Sequence, residues 1–245
     1  MKWHHTTGLC HELIMSSISK NLQAVKKHIS DSAQKAARPL SAVRLIAVSK
    51  TCPAQTVIEA ARAGQQAFGE NYEQEAIRKI QQIKELAPEL DLEWHFIGPI
   101  QGNKTRSIAT HFDWVHSIDR ERIARRLSEH RPDDLPPLNV CLQVNISKEN
   151  SKSGIDGQGI SDLAKTVARL PRLKLRGLMA IPEPQNDIKK QHEPFSQLKK
   201  LYDQLQQQGY DLDTLSMGMT ADMDAAIAEG ATIVRIGTAI FGARD

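Results

Sequence analysis

Cysteine is scarce in this chain of 245 residues: Cys10, Cys52 and Cys141 are all it has. Three thiols far apart, with no C-x-x-C pair, build neither a disulfide framework nor a cysteine zinc site. They fit a reducing, cytoplasmic compartment. Long apolar runs are missing as well. A membrane-spanning helix needs roughly 20 apolar residues in a row, and the longest runs here are a few residues, so no membrane partner is expected. The start, MKWHHTTGLCHELIMSSISK, has an early lysine but no apolar core, which excludes a secretory signal. Neither sign of charge dominates. With 32 Lys+Arg against 29 Asp+Glu, the net charge of +3 leaves no electrostatic footprint for nucleic acid. A G-x-G-x-x-G run is also absent, which weakens an open dinucleotide-binding sheet.

What the chain does have is a regular alternation of two periods. Polarity changes at Met15, so residues 1–14 read as a disordered extension and 15–245 as one folded domain. His4, His5, Cys10 and His11 fall in that extension. A flexible terminus without a supporting shell makes a poor metal site, and no metal is expected. Ile18, Leu22 and Val25 recur at i, i+4 and i+7, the stripe of a helix over 16–36. Short apolar runs then predict strands at 45–50, 67–70, 93–98, 113–118, 138–146, 173–181, 214–219 and 233–241. Helices fall between them, near 53–62, 72–86, 101–110, 120–130, 159–169, 188–208 and 221–228. Strict alternation implies a parallel sheet with helical crossovers. Eight strands in about 250 residues indicate an α/β fold with a single closed (β/α)8 barrel of the TIM type. The extra N-terminal helix at 16–36 would cover the gap that an eighth C-terminal helix usually fills. A doubly wound open sheet is the second choice.

In such a barrel, chemistry gathers at the C-terminal ends of the strands. Lys50 ends the first, wholly apolar strand. Its amine is expected beside low-dielectric walls, where desolvation lowers a lysine's pKa and frees a nucleophile for Schiff-base formation. A solvent-facing lysine is the plain alternative. Strands seven and eight of a barrel commonly build a phosphate site from loop amides and a helix start. Here Ser216 and Thr220 offer hydroxyls, Gly218 and Met219 offer backbone, and Gly237-Thr238 can add amides from the next strand. A glycine bend with a capping threonine would use the same residues. The lysine and the cradle become neighbours once the barrel closes. Together they describe pyridoxal 5′-phosphate (PLP), with an aldehyde at one end and a phosphate at the other.

Seven segments carry a further likeness: AVSKT at 47–51, FGENY at 68–72, WHFIGPIQ at 94–101, ENSKSG at 149–154, RGLMAIP at 176–182, SMGMT at 216–220 and VRIGTAIFGAR at 234–244. In this order they closely resemble the YggS family of pyridoxal-phosphate-binding homeostasis proteins, from about Met15 to Asp245. The resemblance implies an alanine racemase-like barrel with a Schiff base between Lys50 and the cofactor. It implies phosphate contacts from 216–220 and from Gly237-Thr238, with Asn71 near the ring and Arg235 near the pyridine nitrogen. A guanidinium can only donate, so the ring nitrogen facing Arg235 would stay unprotonated and the cofactor would be a weaker electron sink.

The resemblance thus implies a PLP carrier serving vitamin B6 and amino-acid homeostasis, with no catalytic residues and transient contacts with PLP-requiring enzymes. A racemase-like enzyme acting on amino acids is the alternative. Related racemases carry a further β domain that supplies a tyrosine and mediates dimers. Eight strands use nearly all of this chain, so a cofactor holder open to solvent and a monomer are expected. Tyr72 is expected to pack at a helix start, and Lys152, in the loop after strand five, to contact solvent.

Overall fold

Strand-length apolar runs and amphipathic stretches of about two to six turns do form the expected alternating elements. The computed structural model describes residues 16–147, 153–185 and 187–242. The strands are β1 Arg44–Val48, β2 Ala67–Glu70, β3 Glu93–Phe96, β4 Trp114–Ile118, β5 Leu138–Gln143, β6 Leu173–Met179, β7 Thr214–Ser216 and β8 Ile233–Ile236. All neighbouring pairs are parallel, and β8 closes on β1 with Leu45 opposite Val234 and Ala47 opposite Ile236. The result is a closed barrel in the order β1 to β8. The helices are α1 Ser17–Lys35, α2 Ala54–Arg62, α3 Glu73–Leu86, α4 Thr105–His111, α5 Glu121–His130, α6 Ile160–Val167, α7 Ile188–Gln207, α8 Met223–Ala228 and α9 Thr238–Phe241.

Helix α1 takes the place expected of it. Ser16 caps it by accepting from Ser19 N (3.2 Å), and its buried stripe includes Leu22, Val25, Ile29 and Ala33. It packs against α2, α8 and α9, and Asn21 Nδ2 donates to Ile240 O (3.1 Å). Several ends differ from the sequence reading. The eighth strand stops at Ile236, and Gly237 turns the chain into the single helical turn α9. Beyond the barrel rim no neighbouring strand continues the ladder, so the chain satisfies its amides locally. Pro53 is the cap of α2 rather than its first residue. Tyr72 precedes α3, but its side chain is 56% exposed instead of packed. The extension at 1–14 and Lys152 lie outside the described residues.

The strand period sorts the barrel's two faces. Outward residues such as Leu45, Ala47, Phe68, Trp94, Phe96, Val140 and Val234 join the large apolar core under the helices. Inward ones form smaller groups, Ile46 with Ala67 and Ile233, and Trp114 with Cys141 and Met179. Between these inward groups the interior is polar: His95, His116 and Ser216 are fully buried and Arg235 nearly so.

Candidate functional site

The C-terminal ends of the strands enclose a cleft of about 320 Å³. Val48 lines it from the end of β1 and Lys50 from just after it, Asn71 and Ile97 from just after β2 and β3, and Ile181 from beyond β6. Met219, Thr220 and Ala221 come from the β7–α8 loop, and Arg235, Gly237 and Thr238 from β8 and its turn. Seven of the nine expected site residues therefore meet in one place. Ser216 and Gly218 do not line it. Both are buried beneath the loop, and the Ser216 hydroxyl is engaged by Arg235 and His116. The inward position at the end of β7 points Ser216 at the barrel axis, where other polar groups claim it.

Lys50 is half-buried at the mouth, and the turn that carries it is fixed from behind. Lys79 on α3 reaches under the turn with its ammonium, 2.7 Å from Ser49 O, 2.7 Å from Glu70 Oε1 and 3.0 Å from Glu75 Oε1. Ser49 Oγ donates to the same Glu70 oxygen (2.6 Å), and Thr51 N donates to Glu75 Oε1 (2.6 Å). Lys79 is 4% exposed and Glu70 not at all. Burial pushes the Glu70 carboxyl upward, opposed by the charge and hydrogen bond of Lys79. Thr51 itself adopts φ +62°, a left-handed backbone that costs a β-branched residue of order 1–3 kcal/mol and persists only where surroundings enforce it. The Lys79 cluster supplies that enforcement.

Arg235 is held from inside the barrel. Its Nη2 donates to Ala180 O (2.9 Å) and its Nη1 to Ser216 Oγ (2.7 Å). Burial lowers the guanidinium to about 10, with the charges of Asp222 and Cys141 opposing, so it stays a cation and a donor at neutral pH. Ser216 Oγ lies 2.8 Å from His116 Nδ1, and His116 Nε2 lies 2.9 Å from His95 Nδ1. His95 Nε2 sits 2.5 Å from Glu93 Oε1, close enough to pair though not aligned as a hydrogen bond. Arg44 Nη1 meets the same oxygen at 2.8 Å. Glu93 and Arg44 line a second cleft, of about 370 Å³, at the opposite rim of the barrel.

Two further positions shape the upper cleft. A Cβ on Gly98 would lie 2.2 Å from Asn71 O, so only glycine lets these two loops touch and set Asn71 into the cleft. Asn71 Oδ1 is buried and has no partner. Gly218 has φ +96°, and a Cβ there would lie 2.6 Å from the Ala226 side chain. The amide of Met219 donates to Asp222 Oδ1 (2.6 Å), and α8 begins at Met223, just after the expected start near 221. Among the described residues no group of three or more His, Cys, Asp or Glu is placed to hold a metal ion. No described helix is long and apolar enough to cross a membrane.

Sequence reading missed Glu70, Glu75 and Lys79, and gave no role to Glu93, His95 or His116. The signal was available in the strand period. Glu93 and His95 share the inward face of β3, and two adjacent strands each place a histidine at an inward position.

Comparison with known proteins adds relatives to this geometry. The alanine racemase N-terminal domain family matches residues 20–245. A pyridoxal phosphate homeostasis protein of Vibrio cholerae is 56% identical over 231 residues, covering 94% of this chain and 98% of its own. Among solved structures, PipY of Synechococcus elongatus with PLP bound superposes with a TM-score of 0.79 at 37% identity, covering 92% of this chain and all of PipY. Alanine racemase of Corynebacterium glutamicum shares the fold at a TM-score of 0.68 and 15% identity, with 93% of this chain matching 60% of that one.

Proposed function

This chain belongs to the alanine racemase N-terminal domain family, and on that premise we propose that it binds pyridoxal 5′-phosphate for cofactor homeostasis. The cofactor supplies an aldehyde that a lysine amine can hold and a ring that withdraws electrons. Lys50 is the covalent anchor, held as a Schiff base. Arg235 donates to the ring nitrogen and Asn71 borders the ring. Met219, Thr220, Gly237 and Thr238 face the phosphate, while Ser216 and Gly218 shape that loop from below. The fit rests on features of the cleft itself. Two cations, Lys50 and Arg235, suit an anionic ligand, and the buried, unpartnered Asn71 Oδ1 awaits a donor. One observation carries the reading: a lysine from β1 and a donor-only arginine from β8 line a single cleft with the β7 and β8 turns.

A guanidinium at the ring nitrogen makes the cofactor a weaker electron sink, which favours a carrier without robust catalysis over a racemase-like enzyme without forbidding the latter. The same proposal takes the carrier to be cytoplasmic and monomeric and to exchange PLP with PLP-requiring enzymes. Equilibrium binding of PLP, followed by borohydride reduction and peptide mass mapping, tests the anchor. The label should sit on Lys50, and Lys50→Ala should lose both label and absorption band. A band that survives in that variant removes Lys50 from the role. Exchange of α-protons from a panel of amino acids, well above the rate with free PLP, would instead establish a racemase-like enzyme.

A further inference from the structure

The buried chain beneath Arg235 spans the barrel from one rim to the other, and its hydrogen atoms can be assigned from its ends. At the lower end Glu93 is held as a carboxylate. Burial pushes it up, but His95 and Arg44 outweigh this and bring it to about 2. A carboxylate offers only lone pairs, so the His95 nitrogen 2.5 Å away must carry a proton. Burial pushes His95 downward, against the charges of Glu93 and Asp113 and with that of Arg44. It pushes His116 down further, aided by His95, Arg235 and Arg44. Each ring therefore keeps one proton. With His95 protonated on Nε2, its Nδ1 can only accept, and His116 donates from Nε2 (2.9 Å). His116 Nδ1 is then bare and accepts from the Ser216 hydroxyl (2.8 Å). The upper end demands the same order, because Arg235 can only donate and so takes a lone pair of Ser216 Oγ. In the reverse order the Ser216 proton would have no acceptor and a bare nitrogen would face a carboxylate.

We propose that His95 and His116 are positioning residues for Arg235, forming with Ser216 a one-way chain of donors that is set by Glu93 at the far rim and holds the guanidinium toward the cofactor cleft. The proposal rests on the PLP reading for what Arg235 meets, though not for the chain itself. The chain makes the cofactor sensitive to a residue on the opposite end of the barrel. It also fixes the guanidinium without placing a second charge beside it, since both rings are neutral.

The test begins without cofactor. Long-range proton–nitrogen NMR of the histidine rings in the apo protein should show both His95 and His116 as neutral Nε2–H tautomers at and above neutral pH. An Nδ1–H tautomer or a doubly protonated ring at neutral pH, at either histidine, overturns the proposal. Glu93→Gln then removes the dictated direction, because an amide can donate as well as accept. Mixed tautomers, a shifted absorption band of bound PLP and roughly tenfold weaker binding are expected, the loss of one charge-assisted bond at Arg235. Wild-type tautomers and an unchanged band in Glu93→Gln would also overturn it. If wild-type protein fails to bind PLP at all, the functional reading falls, and the apo tautomers alone decide the chain.

Discussion

Behind Lys50, a charged cluster lies between the sheet and α3; behind Arg235, a file of neutral groups lies inside the barrel. Both hold a cation of the same cleft, yet their physics differs. The outer cluster concentrates three acceptors on one buried ammonium, Lys79, and its attraction must offset the desolvation of Glu70. The inner file exchanges hydrogen bonds in series, with its formal charges only at the ends. A site can thus be braced by a knot of charge, in which losing one member leaves a buried charge unpaired, or by a relay of neutral groups, in which losing one member costs hydrogen bonds but strands no charge inside.

The contrast is broken most severely at Lys79. Lys79→Met leaves Glu70 buried without its cation, and urea unfolding should show a loss of about 3–5 kcal/mol. Adding Glu70→Gln should recover most of it, since the unpaired charge and not the lost contact dominates. A single variant within about 1 kcal/mol of wild type would show that the cluster does not brace the Lys50 turn. A smaller effect is expected from the relay. Ser216→Ala removes the hydroxyl shared by Arg235 and His116, and the same measurement should read about 1–3 kcal/mol. If it equals the Lys79 loss, the distinction between knot and relay fails.

The smallest effect is a difference in acid response. Glu93 is held near 2 when folded, below its ordinary 4.5. The unfolded chain therefore binds the proton first, so its stabilisation is complete above 4.5 and is lost as pH falls toward 2. With the carboxylate partly solvated, about 1 kcal/mol is expected. Glu70 is raised instead. Its folded state takes the proton first, so acid does not withdraw stability at that residue. Unfolding curves at falling pH should show Glu93→Gln losing less than wild type. An acid loss undiminished in that variant would place the sensitive carboxylate elsewhere.

The barrel was legible because outward positions obey one rule, apolar and packed against a helix, repeated around eight strands. Lys50 and Gly237 were legible from the face where a barrel gathers its loops, and Asn71 and Arg235 from the family resemblance. The braces were not. Lys79 sits nine residues from Glu70 on a helix face that reads as solvated, and only the close approach of α3 to the β1 turn buries it. The hydrogen-bond partners of Ser216 were hidden because its hydroxyl stands in a loop-like motif. The inward phase of β7, set by register with Ile233, sends it to the axis. Strand ends blurred for a similar reason, since the ladder stops where neighbours stop and no residue marks that point in β8.

The seat of α1 has a consequence in time. The first described helix docks on the last described elements, through Asn21 to Ile240 and through Ser32 to Asp224 (2.5 Å). During synthesis its stripe of Leu22, Val25, Ile29 and Ala33 has no complete partner, and β1 waits with an open edge for β8. Contacts across nearly the whole length of a chain form late and slowly. The ribosome therefore delivers this barrel as an unsealed ribbon, and β8 with the turn after it is the latch that seals it.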